Sequence, residues 1–325
     1  MSVTNTKERC LFSAPFDFLP DATLAAYREL MDVEFGEIWL PEELEKRPDI
    51  TVWVPNPGQN FTVDDAILDR LPALKVISTP STGRNHINEL VCRERGIEVF
   101  SLQDDRPTLD SIAASSEWTF LLLMNALRRL DFAVNEVTEG RWRTREDMLR
   151  GTELSGLQVG IVGFGRNGSR MARYCAAFDA TCATYDPYVD APSVPSWPLD
   201  RIFADSDAVV VCCTLSPETH GMIGTDLLRS MKRNAVFVNT SRGEVVVEQE
   251  LADIVRERPD LRVAVDVIVG EVTNTHDESP LLPLHREGKM VVSPHIAGAT
   301  VESQSKAAIG ALNALKRFFA SGATG

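Results

Sequence analysis

Three side chains, far apart along the chain, are of types that together could carry a hydride and a proton transfer: Arg242, Glu271 and His295. An arginine holds a carboxylate through two parallel hydrogen bonds. A histidine exchanges a proton with a hydroxyl or carbonyl oxygen near neutral pH. A carboxylate beside that histidine fixes its tautomer and favours its charged form. Such a set suits the interconversion of a 2-hydroxy acid and a 2-keto acid. Each residue alone has a plainer reading: a surface ion pair for Arg242, a solvated loop acid for Glu271, a satisfied loop histidine for His295. His86, His220 and His285 sit in loop-like or polar contexts. His276 is the rival acid–base, being close to Glu271 in sequence. No histidine pair has metal-ligand spacing, so no metal is expected. The chain also lacks GxSxG, which counts against a hydrolase.

These residues need elements to carry them. Val159-Gly160-Ile161-Val162 is a short apolar run and reads as a buried strand. The turn Gly163-Phe164-Gly165-Arg166-Asn167-Gly168 follows, then the helical spacing of Ser169–Phe178, then a second strand over Thr181–Tyr185 that ends at Asp186. Gly163 permits the turn, Gly165 lets backbone approach a pyrophosphate, and Gly168 lets helix pack on strand. The helix start favours phosphate charge, with Arg166 and Asn167 inside the same turn. Asp186 stands where an acid takes a ribose hydroxyl pair, and its charge favours NAD over NADP. Arg166 is a mild counter-signal, since it could reach a phosphate or simply be solvated. Asp186, Thr214, Arg242, Asp266, Glu271 and His295 all fall just after strands, so an open parallel sheet would gather them at one cleft.

The remaining elements alternate in the same way. Strands are expected at Cys10–Phe12, Ile50–Val54, Leu74–Ser78 and Ile97–Phe100, with helices at Ala22–Met31, Val63–Leu71 and Ile87–Arg95. Leu102–Ser111 reads as a polar loop, Ile112–Asn135 as one long helix and Thr138–Thr152 as a linker. Later strands are expected at Ala208–Cys213, Ala235–Asn239, Arg262–Val267 and Met290–Ser293, with a loop over Asn274–His285 and a closing helix over Val301–Phe319. The whole predicts an α/β protein with parallel sheets.

At 325 residues the chain can hold two cores. Its net charge of −14 argues against nucleic acid or an anionic membrane as partner, so an anionic substrate must be drawn in by local cations. The six cysteines form no CxxC pair and several lie in apolar runs, which points to reduced thiols. Neither a signal peptide nor a spanning run is apparent, which makes a cytoplasmic protein the expectation.

Several spaced motifs in order resemble the D-isomer-specific 2-hydroxyacid dehydrogenase family. They are Glu153-Leu154-Ser155-Gly156 with the glycine turn, Leu215-Ser216-Pro217-Glu218-Thr219-His220-Gly221, Asn239-Thr240-Ser241-Arg242-Gly243, Asp266-Val267 with Glu271, and Ser293-Pro294-His295-Ile296-Ala297-Gly298. The resemblance implies two Rossmann-like, doubly wound domains, the substrate domain discontinuous: residues 1–118, an NAD-binding domain over 119–298, and a returning helix over 299–325. It implies that Arg242 binds the substrate carboxylate and that His295 is the acid–base, supported by Glu271. Asp266 and the Thr240 backbone would hold the nicotinamide carboxamide. The loop Ser81-Thr82-Gly83-Arg84 would turn backbone amides to the carboxylate. A homodimer is implied, and the extra C-terminal regulatory domain of some phosphoglycerate dehydrogenases is not expected. Val272 stands where the family usually has proline, and the segment between Ile97 and Glu117 is longer than usual. Arg84 and Arg106 could there bind a second anion or be solvated. Two other readings stay open: an NAD-sensing binding protein without turnover, and an NADPH-dependent glyoxylate or hydroxypyruvate reductase.

Overall fold

The structure, a computed structural model, describes residues 7–191 and 193–322. The chain divides into two compact units, one of Met1–Ile112, Val272–Asn274 and Ala299–Gly325, the other of Ala113–Glu271 and Thr275–Gly298. The first border falls at the extended residue Ile112, which separates the helix Arg106–Ser111 from the helix Ala114–Arg128.

The first unit is built on β1 (Arg9–Phe12), β2 (Asp32–Phe35), β3 (Val52–Val54), β4 (Val76–Ser78) and β5 (Glu98–Phe100). All pair in parallel, in the order β2-β1-β3-β4-β5. The second unit is built on β6 (Gln158–Val162), β7 (Thr181–Tyr185), β8 (Ala208–Val211), β9 (Val236–Asn239), β10 (Arg262–Val265) and β11 (Val291–Val292). These too are parallel, in the order β11-β10-β9-β8-β6-β7. The chain winds outward from β6 to β7 and returns on the other side at β8. That reversal opens a crevice at the carboxyl ends of β6 and β8.

Apolar residues occupy both faces of each sheet, which is why the strands read as continuous β-branched runs. In β8, Val209 and Val211 face one core while Ala208 and Val210 face the other. In β9, Phe237 faces the first and Val236 and Val238 the second. The helix Val301–Ala320 lays Ala308, Ala311, Leu312, Leu315 and Phe318 onto the first sheet beside Cys10, Phe12, Val52 and Val76.

Four expectations change. The long helix over Ile112–Asn135 is two, Ala114–Arg128 and Leu130–Thr138, parted at Arg129 in the left-handed conformation (φ 54°). The last helical bond runs from the Arg129 N–H to the Asn125 carbonyl, and the Asn125 side chain then accepts the Asp131 N–H at the start of the next helix. Leu102–Ser111 is not loop but a 3-10 turn, Leu102–Asp104, and a helix, Arg106–Ser111, with Pro107 in the first turn where no N–H is needed. Asn274–His285 contains the start of a helix, Leu281–Arg286, whose Pro283 is again in the first turn. Finally, β2 and the helix Leu199–Asp205 lie where no element was expected. Among the described residues, no helix is long and apolar enough to cross a membrane.

Candidate active site

The glycine turn joins β6 to the helix Arg166–Ala177. Gly163 has φ 90°, and a Cβ there would stand 2.6 Å from the Cys213 backbone. A Cβ on Gly168 would stand 2.0 Å from the Gly163 carbonyl. At Gly165 an added Cβ meets nothing within 4 Å, so that side of the turn is open. Two glycines therefore close the turn on the protein and the third leaves room for a phosphate. The Asp186 carboxylate accepts the Phe164 N–H at 2.7 Å and the Tyr188 and Val189 N–H groups at 2.9 and 3.1 Å, which ties it to the turn. Asn167 is oriented by the Ser116 hydroxyl at 3.2 Å. Thr214 is exposed, and its carbonyl accepts the Thr219 hydroxyl at 2.7 Å. Together these residues fit a dinucleotide: pyrophosphate at the helix start, ribose at Asp186.

His295 follows β11 on a turn that the chain shapes from below. Its φ is 52°, a conformation histidine tolerates better than most side chains. Asp266, at the end of β10 and fully buried, holds that turn. Its carbonyl accepts the His295 N–H at 2.8 Å, and its carboxylate accepts the Ser293 hydroxyl at 2.5 Å and the Ile296 and Ala297 N–H groups at 3.2 and 2.9 Å. Burial raises the Asp266 carboxyl above its usual range, and these donors pull it partly back. Trp118 Nε1 donates to the Ser293 hydroxyl at 3.2 Å, fixing it from behind. Asp266 thus holds the turn that carries His295, in addition to the nicotinamide contact expected of it. Ser293 and Trp118 were given no role from sequence, although Ser293 lies inside the histidine motif.

Glu271 meets the ring. Its Oε2 lies 2.5 Å from His295 Nδ1, and its Oε1 accepts the Ile268 N–H at 2.8 Å. An ionised carboxylate only accepts, so Nδ1 carries the hydrogen and Nε2 is left to exchange a proton. The ring stays reachable, with 43% of its side chain exposed against 24% for Glu271. His276, the rival, pairs with its neighbour Asp277 at 3.8 Å. His86 is buried against the Thr79 hydroxyl at 3.0 Å, and His285 Nδ1 lies 3.3 Å from the Met290 carbonyl.

Arg242 follows β9. Burial pushes its guanidinium below the usual arginine value, and the charges of Glu271 and Glu244 oppose that. Its Nη1 donates to its neighbour's carbonyl, Ser241 O, at 2.6 Å. Among the described residues no carboxylate lies within ion-pair distance of it. Such a cation is poised for a carboxylate brought from outside. The Thr240 hydroxyl lies 2.6 Å from that of Thr119, which itself donates to Ser115 O, so Thr240 is the donor.

In the first unit, the loop after β4 turns its carbonyls inward. Ser81 O accepts the Leu102 N–H (2.9 Å), Thr82 O the Gln103 side chain (2.9 Å), Gly83 O the Ser81 hydroxyl (2.7 Å) and Arg84 O the Ile87 N–H (2.8 Å). None of the four N–H groups of Ser81, Thr82, Gly83 and Arg84 has a partner among the described residues. A row of such amides attracts an anion. Arg84 itself is engaged, by the Ser101 hydroxyl at 3.0 Å, Glu89 at 2.8 Å and Asp104 at 2.5 Å. Arg106 pairs with Asp110 one helical turn on, in solvent. Both arginines are thus paired with acids of their own unit.

Residues 120–297 match the NAD binding domain of the D-isomer specific 2-hydroxyacid dehydrogenases. The chain belongs to that family. It is 32% identical over 251 residues to D-3-phosphoglycerate dehydrogenase of Mycobacterium bovis, a match covering 76% of this chain and 45% of that protein. The chain thus spans less than half the length of that relative. It is also 32% identical to glyoxylate reductase of Thermofilum pendens, covering 76% of this chain and 72% of that one. Among solved structures, a protein of Thermus thermophilus superposes with a TM-score of 0.81 at 28% identity, covering 96% of this chain and 97% of that one.

Proposed function

We propose that the chain is an NAD-dependent oxidoreductase interconverting a D-2-hydroxy acid and its 2-keto acid. The observation that carries this is the His295–Glu271 pair, whose carboxylate is held at both oxygens so that the ring presents Nε2. Bound NAD supplies the hydride chemistry. In reduction, protonated His295 gives its Nε2 proton to the carbonyl oxygen while Arg242 holds the substrate carboxylate. In oxidation, neutral His295 takes the hydroxyl proton. Glu271 touches no substrate and orients the ring through Nδ1. The inward carbonyls of Ser81–Arg84 support that loop as a further carboxylate contact. An acid at Asp186 supports NAD over NADP.

NADH oxidation across 2-keto acids, with NADPH run beside it, tests this. The panel is glyoxylate, hydroxypyruvate, phosphohydroxypyruvate and bulkier acids. Turnover on one, preferring NADH and lost in His295→Ala by about 10²–10⁴-fold, is expected. NADH binding with no turnover on any of them would replace the enzyme reading by that of a nucleotide sensor. We further propose a homodimer, supported by Leu130, Val134 and Val137, exposed together on one face of the helix Leu130–Thr138. A solution mass of one chain would remove that proposal.

A further inference from the structure

Two successive backbone amides near the active site each donate to a carboxylate. Ile268 N–H goes to Glu271 itself at 2.8 Å, and Val269 N–H goes to Glu248 Oε1 at 2.9 Å. Glu248 opens the helix Glu248–Glu257 and also bonds the buried Ser279 hydroxyl. It therefore grips the chain on both sides of Glu271. Between those grips lies Gly270 at φ 86°, a conformation glycine adopts freely. The same amide pair is pressed by the turn that carries Arg242: a Cβ on Gly243 would stand 2.3 Å from Ile268 C and 2.5 Å from Val269 N. The backbone at 268–269 is thus the shared seat of Arg242 and Glu271, and Glu248 clasps it.

We propose that Glu248 is a positioning residue for the reaction, setting the place from which Glu271 reaches His295 and against which Arg242 is held. The inference rests on the reading of His295 as the acid–base. What matters is the Glu248 oxygen that accepts the Val269 N–H, not the negative charge. Burial pushes the Glu248 carboxyl above its usual range, and the charges of Glu244 and Glu271 add to that, so the site does not favour another anion. A glutamine keeps an acceptor for Val269 and still bonds the Ser279 hydroxyl; an alanine does neither.

The test compares Glu248→Ala with Glu248→Gln in the full chain. A displaced catalytic group can cost about 10²-fold in rate, and that is the expected fall in kcat for Glu248→Ala, with a smaller rise in the KM for the keto acid through Arg242 and the NADH affinity nearly unchanged. Glu248→Gln should recover most of it. Independently of turnover, proton NMR should show the His295 Nδ1–H as a downfield, exchange-protected resonance in the wild type and Glu248→Gln, and lose it in Glu248→Ala. Should Glu248→Ala not fold, Glu248→Asp, one methylene short of Val269, takes its place. Wild-type kcat and resonance in Glu248→Ala would overturn the proposal, as would a Glu248→Gln no better than Glu248→Ala. A wild type that turns over no keto acid removes the catalytic reading, while the resonance still decides the placement.

Discussion

Arg84 and Arg242 stand at similar places in two similar sheets, each on a loop just past a parallel strand, β4 and β9. Their surroundings differ in one respect. Arg84 has two carboxylates and a hydroxyl within 3.0 Å. Arg242, in a more buried place, has a neighbouring carbonyl and no carboxylate within ion-pair distance among the described residues. Residue type and position do not separate a structural arginine from a ligand-seeking one; the neighbouring acids do. Acids within reach satisfy Arg84 and order its loop. Of the acids that act on Arg242, Glu271 has its oxygens on Ile268 and His295. The cation is kept charged from a distance and left without its natural partner.

The contrast is broken most sharply by the same substitution at each arginine. Arg242→Gln should give the largest effect. Removing one member of a desolvated, hydrogen-bonded charge pair costs roughly 2–5 kcal/mol, so kcat/KM should fall about 30-fold to a few thousand-fold. NADH affinity, read by fluorescence quenching, should hold. The thermal midpoint should stay level or rise, because a buried cation without an ion partner opposes folding. Full turnover in this variant would remove the distinction drawn between the two arginines.

Most of the architecture was legible because the sheets are parallel and buried on both faces, so each strand is a short β-branched run that composition alone reveals. Arg242, Glu271 and His295 were legible as types lying after strands, and the structure joins Glu271 to His295 and places Glu271 within electrostatic reach of Arg242. What stayed hidden depends on contacts across sequence. The break at Arg129 has no glycine or proline to announce it and is spanned by the Asn125 side chain. Pro107 and Pro283 read as loop markers, although the first turn of a helix accepts proline as readily. Asp266 was legible as an acid after a strand, but its structural task was not. The three donors to its carboxylate, from Ser293, Ile296 and Ala297, show that it also shapes the turn beneath His295.

Arg84→Gln should act in the opposite sense to Arg242→Gln. Glu89 and Asp104 would lose their shared cation, and the Ser101 cap its donor. Partly exposed charge-assisted bonds of this kind are worth roughly 1–2 kcal/mol together, read as a lower midpoint in urea with an unchanged slope. The KM for the keto acid should rise less than for Arg242→Gln, since the Ser81–Gly83 carbonyls keep their own partners. A loss of turnover matching that of Arg242→Gln would mean that Arg84 leaves its acids for the substrate.

Arg106→Gln should do least. Arg106 lies in the first turn of its helix with 68% of its side chain exposed, and its partner Asp110 is 48% exposed. A solvated pair of this spacing contributes about 0.3–0.5 kcal/mol and is screened by salt, so stability should move by no more than that, and less in high salt. Activity is the sharper readout. If Arg106 only covers its own helix, the ratio of KM for a phosphorylated and an unphosphorylated keto acid is the same in wild type and variant. If it reaches a second anion, the phosphorylated acid alone loses affinity, and the loss shrinks as salt rises. An unchanged ratio would leave Arg242 as the substrate-binding arginine and both Arg84 and Arg106 as supports of the first unit.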